Sequence, residues 1–242
     1  MNTESFAELI RSTFRRGDTA EVVRLAEAEV ARARAEGDPA GQVEALYALA
    51  RVAARGGDLD ESRRLAGEAL AVAVRAGERR LEERPRHVLA AVTRLSGDLL
   101  GARTLYEANI ALNEELGRPE HVNAETHNLG FTELRLGNLD RARELFARSR
   151  ETVFARGYDA FVPYVVVAAA ALASAEGDHA RAARMLGLAD RAFAGLGQVP
   201  DPDDALELAR VREAALAHLG EAALTSEYRA GAALDPTREG LA

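Results

Sequence analysis

Apolar positions along the chain fall into blocks of about 18 residues, each with a face too rich in Leu, Val and Ala to leave in water, and each block stops at a glycine. Gly17, Gly57, Gly97, Gly137 and Gly177 recur every 40 residues, and Gly37, Gly77, Gly117, Gly157 and Gly197 form a second series at the same spacing, offset by 20. A given position is glycine with a probability of only about 0.08 in this composition, so two interleaved series are a structural repeat and not coincidence. In the first series the next residue is Asp18, Asp58, Asp98, Asn138 or Asp178, which reads as a helix ending on left-handed backbone and another beginning at once on a capping side chain. Asp18 with Glu21, and Asp58 with Glu61, have the capping-box spacing. Followers in the second series are less regular, and Pro39, Pro119 and Pro163 come shortly afterwards, where a first helical turn accepts a residue without an N–H.

The spacing therefore predicts A helices near 2–16, 39–55, 80–96, 119–136, 159–176 and 203–219. B helices are predicted near 19–36, 59–76, 99–116, 139–156, 179–196 and 221–231. Eighteen or so residues make a helix of roughly 27 Å, and stacking of successive pairs is what buries the apolar faces. The expected architecture is all-α, a solenoid of antiparallel helix pairs forming one domain over 1–231. Its units are about 1–37, 38–77, 78–117, 118–157 and 158–197, with a capping pair over 198–231 and a flexible tail at 232–242.

Composition sharpens this picture. Alanine supplies roughly a fifth of the residues and aromatics only 5%, a bias toward helix and away from strand. The net charge of −8 argues against a nucleic-acid partner, because phosphate contact needs a concentrated basic face. All 31 basic residues are arginine, so a phosphate-binding loop that needs lysine is excluded, and without cysteine there is no disulfide, thiolate nucleophile or cysteine-ligated metal. The acidic start Met1-Asn2-Thr3-Glu4-Ser5-Phe6 lacks the basic-then-apolar pattern of a secretory leader, and the apolar stretch Phe161 to Ala173 is too short to span a bilayer. A cytoplasmic protein with no membrane contact is expected.

Asn128-Leu129-Gly130-Phe131, Gly137-Asn138, Ala142, Phe146 and Ser149 resemble the tetratricopeptide signature of a Leu-Gly pair, a turn glycine, a small residue, an aromatic and a second small residue. Leu49-Ala50 with Gly57, Ser62, Ala66 and Ala69, and Leu89-Ala90 with Gly97, Ala102, Tyr106 and Asn109, carry it more loosely. Two columns of small residues, Ala50, Ala90, Gly130, Ala170 and Ser62, Ala102, Ala142, Ala182, stand where paired helices would approach most closely. The 40-residue period, Ala183-Arg184-Met185-Leu186-Gly187, the acidic-proline stretch Pro200-Asp201-Pro202-Asp203 and Glu227-Tyr228-Arg229-Ala230-Gly231 resemble the C-terminal arm of large bacterial LuxR-type, ATP-dependent transcription regulators. Together these resemblances imply a right-handed superhelix of 11–12 helices whose A helices line a concave groove, in a free-standing regulatory adaptor or sensor.

Counting back from each turn glycine, the groove columns are Tyr47, His87, His127, Val167; Arg51, Ala91, Phe131, Ala171; and Glu44, Arg84, Ala124, Tyr164, with Arg94 and Arg135 near helix ends. A cationic and aromatic groove in an acidic protein suits a protein or peptide carrying an acidic or carboxylate-bearing segment. Arg84, His87, Arg94, His127, Asn128 and Arg135 would receive the anion, while Tyr47, Arg51, Phe131 and Tyr164 supply contact. The competing reading is a small-molecule or catalytic pocket around His87 and His127. No nucleophile elbow, phosphate loop or zinc-protease motif supports it, and neither a catalytic residue, a metal nor a cofactor is expected. Glu82-Glu83 and Glu114-Glu115 read as solvated surface, and Val165-Val166-Val167 as either a buried helix or a face for homodimerisation.

Overall fold

The computed structural model describes residues 3–235, so the end of the expected tail, 236–242, lies outside the described residues. Eleven α-helices and one 3-10 turn make up the described elements, with no strand among them. They are α1 Thr3–Arg15, α2 Thr19–Glu36, α3 Pro39–Arg55, α4 Leu59–Ala76, α5 Arg79–Leu95, α6 Leu99–Glu115, α7 Pro119–Arg135, α8 Leu139–Arg156, α9 Val162–Ala175, α10 His179–Gly195 and α11 Pro202–Ala232. The architecture is the all-α helical-repeat solenoid that the glycine spacing predicts. The A helix predicted near 159–176 begins instead with a 3-10 turn, Asp159–Phe161, and becomes regular only at Val162 with Pro163 in its first turn. Residues 203–219 and 221–231 form one continuous element, α11, broken inside by Gly220 at φ 75° and ψ 167°.

Every glycine of both series has positive φ, between 61° and 90°. An L side chain there costs about 1–2 kcal/mol, which is why the period is written in glycine. The residue after each first-series glycine serves two helices at once. The backbone N–H groups of Asp18, Asp58, Asp98, Asn138 and Asp178 reach back to the carbonyls of Thr13, Ala53, Thr93, Glu133 and Ala173, closing the finished helix. Forward, the carboxylates of Asp18, Asp58, Asp98 and Asp178 accept from the N–H groups of Glu21, Glu61, Gly101 and Arg181 at 2.9–3.2 Å, opening the next one. Asn138 departs from this pattern, because its Nδ2 donates to Glu133 Oε2 at 2.7 Å and makes no cap bond.

Both small-residue columns are buried. Ala50, Ala90 and Ala170 are fully covered, as are Ser62, Ala102, Ala142 and Ala182. At Ser62 the hydroxyl donates to the Ala50 carbonyl at 2.7 Å, so the polar atom is satisfied by the backbone it touches. A Cβ at Gly130 would stand 2.6 Å from Phe146, which gives the Leu-Gly pair its steric reason.

The chain forms two compact units, Met1–Val122 and Asn123–Ala242. In the first, Phe6, Ile10 and Phe14 of α1, Val22 and Ala26 of α2, and the inner faces of α3 to α5 make one core. In the second, the core gathers Phe131, Phe146, Phe193 and nearly all of α9, with Leu208, Val211 and Ala215 of α11. The valines Val165, Val166 and Val167 are buried in it, so there is no exposed valine face to motivate self-association.

Candidate functional site

Residues 44, 47, 51 and 55 of α3 repeat at three- and four-residue steps and share one face. In the first unit that face meets Arg84 of α5 and Phe14 of α1. Arg84 Nη1 donates to Glu44 Oε1 at 2.9 Å, and the Arg84 guanidinium stands 5.2 Å from the centre of the Tyr47 ring. Arg51 lies 3.8 Å from the Phe14 ring centre and 5.6 Å from that of Tyr47, and Arg55 lies 3.6 Å from Phe14 while donating to the Phe14 carbonyl at 2.7 Å. These are cation–π distances, and they join α1, α3 and α5 into a ribbon of arginine, aromatic and carboxylate groups. Tyr47, Arg51, Arg84 and His87 are all half-buried, so each keeps part of its surface in solvent.

A second layer of the ribbon is built on Glu83, a buried carboxylate. Its Oε1 is 2.8 Å from His121 Nδ1 and its Oε2 is 3.5 Å from Arg118, both at the start of α7. Burial alone would raise the Glu83 carboxyl, but the bond to His121 and the nearby charges of His121, His87 and Arg84 outweigh it and hold the group below its ordinary value. Glu44 goes the other way: burial dominates and pushes its carboxyl up, against Arg84, Arg11 and Arg51. The sequence reading of Glu82 and Glu83 as solvated surface is corrected here, since both are buried, Glu82 with a bond from Arg86 at 2.6 Å. Glu114 and Glu115 are exposed.

Four of the ten residues named from the sequence, Tyr47, Arg51, Arg84 and His87, thus share the face of the first unit, whereas Arg94 is buried at the end of α5. Sequence reasoning missed Phe14, Arg55, Arg118 and His121. Arg55 was recoverable, because it stands in the same register as Arg135, two repeats earlier. His121 occupies the register of Leu81 and Phe161, where no polar group was expected.

In the second unit the same columns turn inward. His127 is 2% exposed, and its ring packs against Phe131, Phe146 and Phe161 at 5.1–5.8 Å. Phe131 and Tyr164 are buried too, and Tyr164 continues the aromatic chain from Phe161 to Phe193. His127, Phe131 and Tyr164 are therefore corrected from groove-lining to core residues: an aromatic cage around His127 replaces the polar pocket. Asn128 is half-buried on α7. Arg135 is held by Glu207 of α11, a carboxylate with no exposure that also accepts from Arg210 at 3.0 Å. The Tyr164 hydroxyl donates to Asp201 at 3.5 Å.

At the opposite side of α10, Gly187 and Gly231 mark a crossing where backbones touch. A Cβ at Gly187 would stand 2.0 Å from the Tyr228 carbonyl, and one at Gly231 would stand 1.8 Å from that of Arg184. Tyr228 Oη donates to Asp190 at 2.5 Å beside it. Two of the three C-terminal motifs noted in the sequence, 183–187 and 227–231, are the two halves of this one contact.

No protein-family model and no curated protein matches the sequence. Among solved structures, BtubC (BKLC) from P. vanneervenii is 24% identical over 89% of this chain and 91% of that one, with a TM-score of 0.59. A Rap protein complexed with Competence and Sporulation Factor is 15% identical, with a TM-score of 0.63; the match covers 93% of this chain and 62% of the Rap chain. A putative kinesin light chain with nearly identical TPR-like repeats from Podosopora anserina gives 21% identity, 82% and 97% coverage and a TM-score of 0.49. The fold is tetratricopeptide-like. In this TPR-like chain, no helix among the described residues is long and apolar enough to cross a membrane.

Proposed function

We propose that the chain is a non-catalytic interaction module, a regulatory adaptor or sensor of a bacterial cytoplasm, that binds a protein or peptide through the A-helix face of its first unit. The observation that carries this is the half-exposed ribbon of Tyr47, Arg51, Arg84 and His87 on a protein of net charge −8. Guanidinium groups already stacked on aromatic rings lose little freedom when they meet a carboxylate, so an acidic segment is favoured. Helical-repeat arrays bind through extended faces of this kind, and the Rap neighbour, complexed with Competence and Sporulation Factor, lends the fold a binding precedent. The same net charge disfavours a nucleic-acid partner.

The test is an affinity capture from native-host lysate that compares wild type with a Tyr47→Ala/Arg51→Gln/Arg84→Gln variant of unchanged helicity. A protein retained by wild type and lost by the variant supports the adaptor role. Matching profiles without a retained protein would sink it, and a screen of small ligands against the same face would follow.

A further inference from the structure

The repeat places residues 80 apart in equivalent positions, so Arg55 and Arg84 of α3 and α5 correspond to Arg135 and Tyr164 of α7 and α9. In the second unit this pair is already occupied. Glu207 grips Arg135, and Asp201 accepts from the Tyr164 hydroxyl, so the acidic start of α11 bridges two successive A helices with carboxylates six residues apart. Leu208 and Val211 follow it into the same core as Tyr164 and Val167. The chain thus displays, on one of its own A-helix pairs, the kind of segment such a pair accepts.

Resting on the binding role proposed above, we infer that Arg55 and Arg84 of the first unit receive from a partner an acidic helical segment of the α11 kind, with two carboxylates six residues apart. The chemistry of the equivalent positions supports this. Where the second unit offers one arginine and one tyrosine hydroxyl, the first offers two guanidinium groups, and a guanidinium binds a carboxylate in two-pronged fashion. Arg55 is oriented by its stacking on Phe14, and Arg84 by Glu44 and the Tyr47 ring. An incoming carboxylate would share Arg84 with Glu44. Burial already favours the neutral form of Glu44, so it yields the guanidinium at low cost. Within one turn past its second carboxylate such a helix would carry apolar residues, as Leu208 and Val211 stand in α11.

The probe is a labelled synthetic peptide of residues 199–219 of this chain, added to the full chain, beside a second peptide carrying Asp201→Asn and Glu207→Gln. The expected result is saturable binding of the first peptide, weakened about tenfold or more in the second and likewise by Arg55→Gln or Arg84→Gln in the protein. Arg55→Lys, which keeps the charge, should recover part of the loss if the fold is intact. Amide shifts on α3 and α5 should mark the site. Absence of binding, equal binding of the neutral peptide, or shifts confined to α7 and α9, meaning exchange with the chain's own α11, would each overturn the inference. A lysate partner lost in the face variant yet not displaced by the peptide overturns the inference while leaving the adaptor role standing. Peptide binding with no lysate partner does the reverse.

Discussion

The two units place different chemistry at the same positions of one repeat. In the first, the columns read Glu44, Tyr47, Arg51 and Arg84, His87, with Glu44 buried and the other four half in solvent, and ion pairs and cation–π contacts run among them. In the second they read Ala124, His127, Phe131 and Tyr164, Val167, Ala171, most of them sealed in an aromatic and aliphatic core. The repeat register is shared, so the difference lies in the residues that fill the columns and in what lies against them. At the start of α11 Glu207 pairs with Arg135 and Asp201 accepts from the Tyr164 hydroxyl, and Leu208 and Val211 lie in the core beside them. The A-helix face of the second unit is covered by the chain's own α11, whereas that of the first keeps Tyr47, Arg51, Arg84 and His87 partly in solvent.

The sharpest way to break this contrast is Glu207→Ala, which removes the buried carboxylate from between Arg135 and Arg210. Losing this buried acceptor of two charged hydrogen bonds, discounted because both arginines are partly exposed, should cost about 2–3 kcal/mol, read as a lower urea midpoint for the whole chain. A loss below about 1 kcal/mol would mean that closure of the second unit rests on Leu208 and Val211 alone. Next in size is Gly231→Ala. Its methyl would meet the Arg184 carbonyl, and forcing the α10–α11 crossing apart should cost about 2 kcal/mol. The matched control in the first unit is Gly67→Ala, an open, exposed helical position that should instead gain about 0.8 kcal/mol. Equal effects at the two glycines would remove the steric explanation.

The smallest effects concern pH and sharpen the picture of the open face. Glu83 has its carboxyl lowered, so its contribution to stability is present above its ordinary 4.5 and is lost as pH falls through the lower native value. Glu44 has its carboxyl raised, so its contribution is present below 4.5 and is lost as pH rises through the higher native value. Glu83→Gln should therefore flatten the acid limb of a stability–pH curve, and Glu44→Gln should remove a decline in stability as pH rises above 4.5. Parallel curves for both variants and wild type would show that neither carboxylate is perturbed by its partners.

Much of the fold was legible in the sequence, because glycine and aspartate act locally. A left-handed glycine ends a helix, and at Asp18, Asp38, Asp58, Asp98 and Asp178 the carboxylate that follows begins the next one within a single turn; ten left-handed glycines at fixed spacing leave little freedom. The close-packing columns were legible for a similar reason, since only small residues fit and the repeat shows them four times over. The candidate face was legible only in part. Register placed Tyr47, Arg51, Arg84 and His87 on a common face, but register gives a direction relative to the repeat and not an exposure. His127, Phe131 and Tyr164 share that direction and are buried.

By itself, then, the sequence determined the period, the helix boundaries and the columns that share a face, all consequences of interactions a few residues long. Tertiary structure decided which stretch of those columns stays in solvent, that Glu83 is a buried partner of His121, and that Gly187 lies against the Tyr228 carbonyl and Gly231 against that of Arg184. Those outcomes depend on residues tens of positions apart being brought together. Burial of a charge follows from the partner that arrives to meet it, and no local pattern in the chain announces that partner.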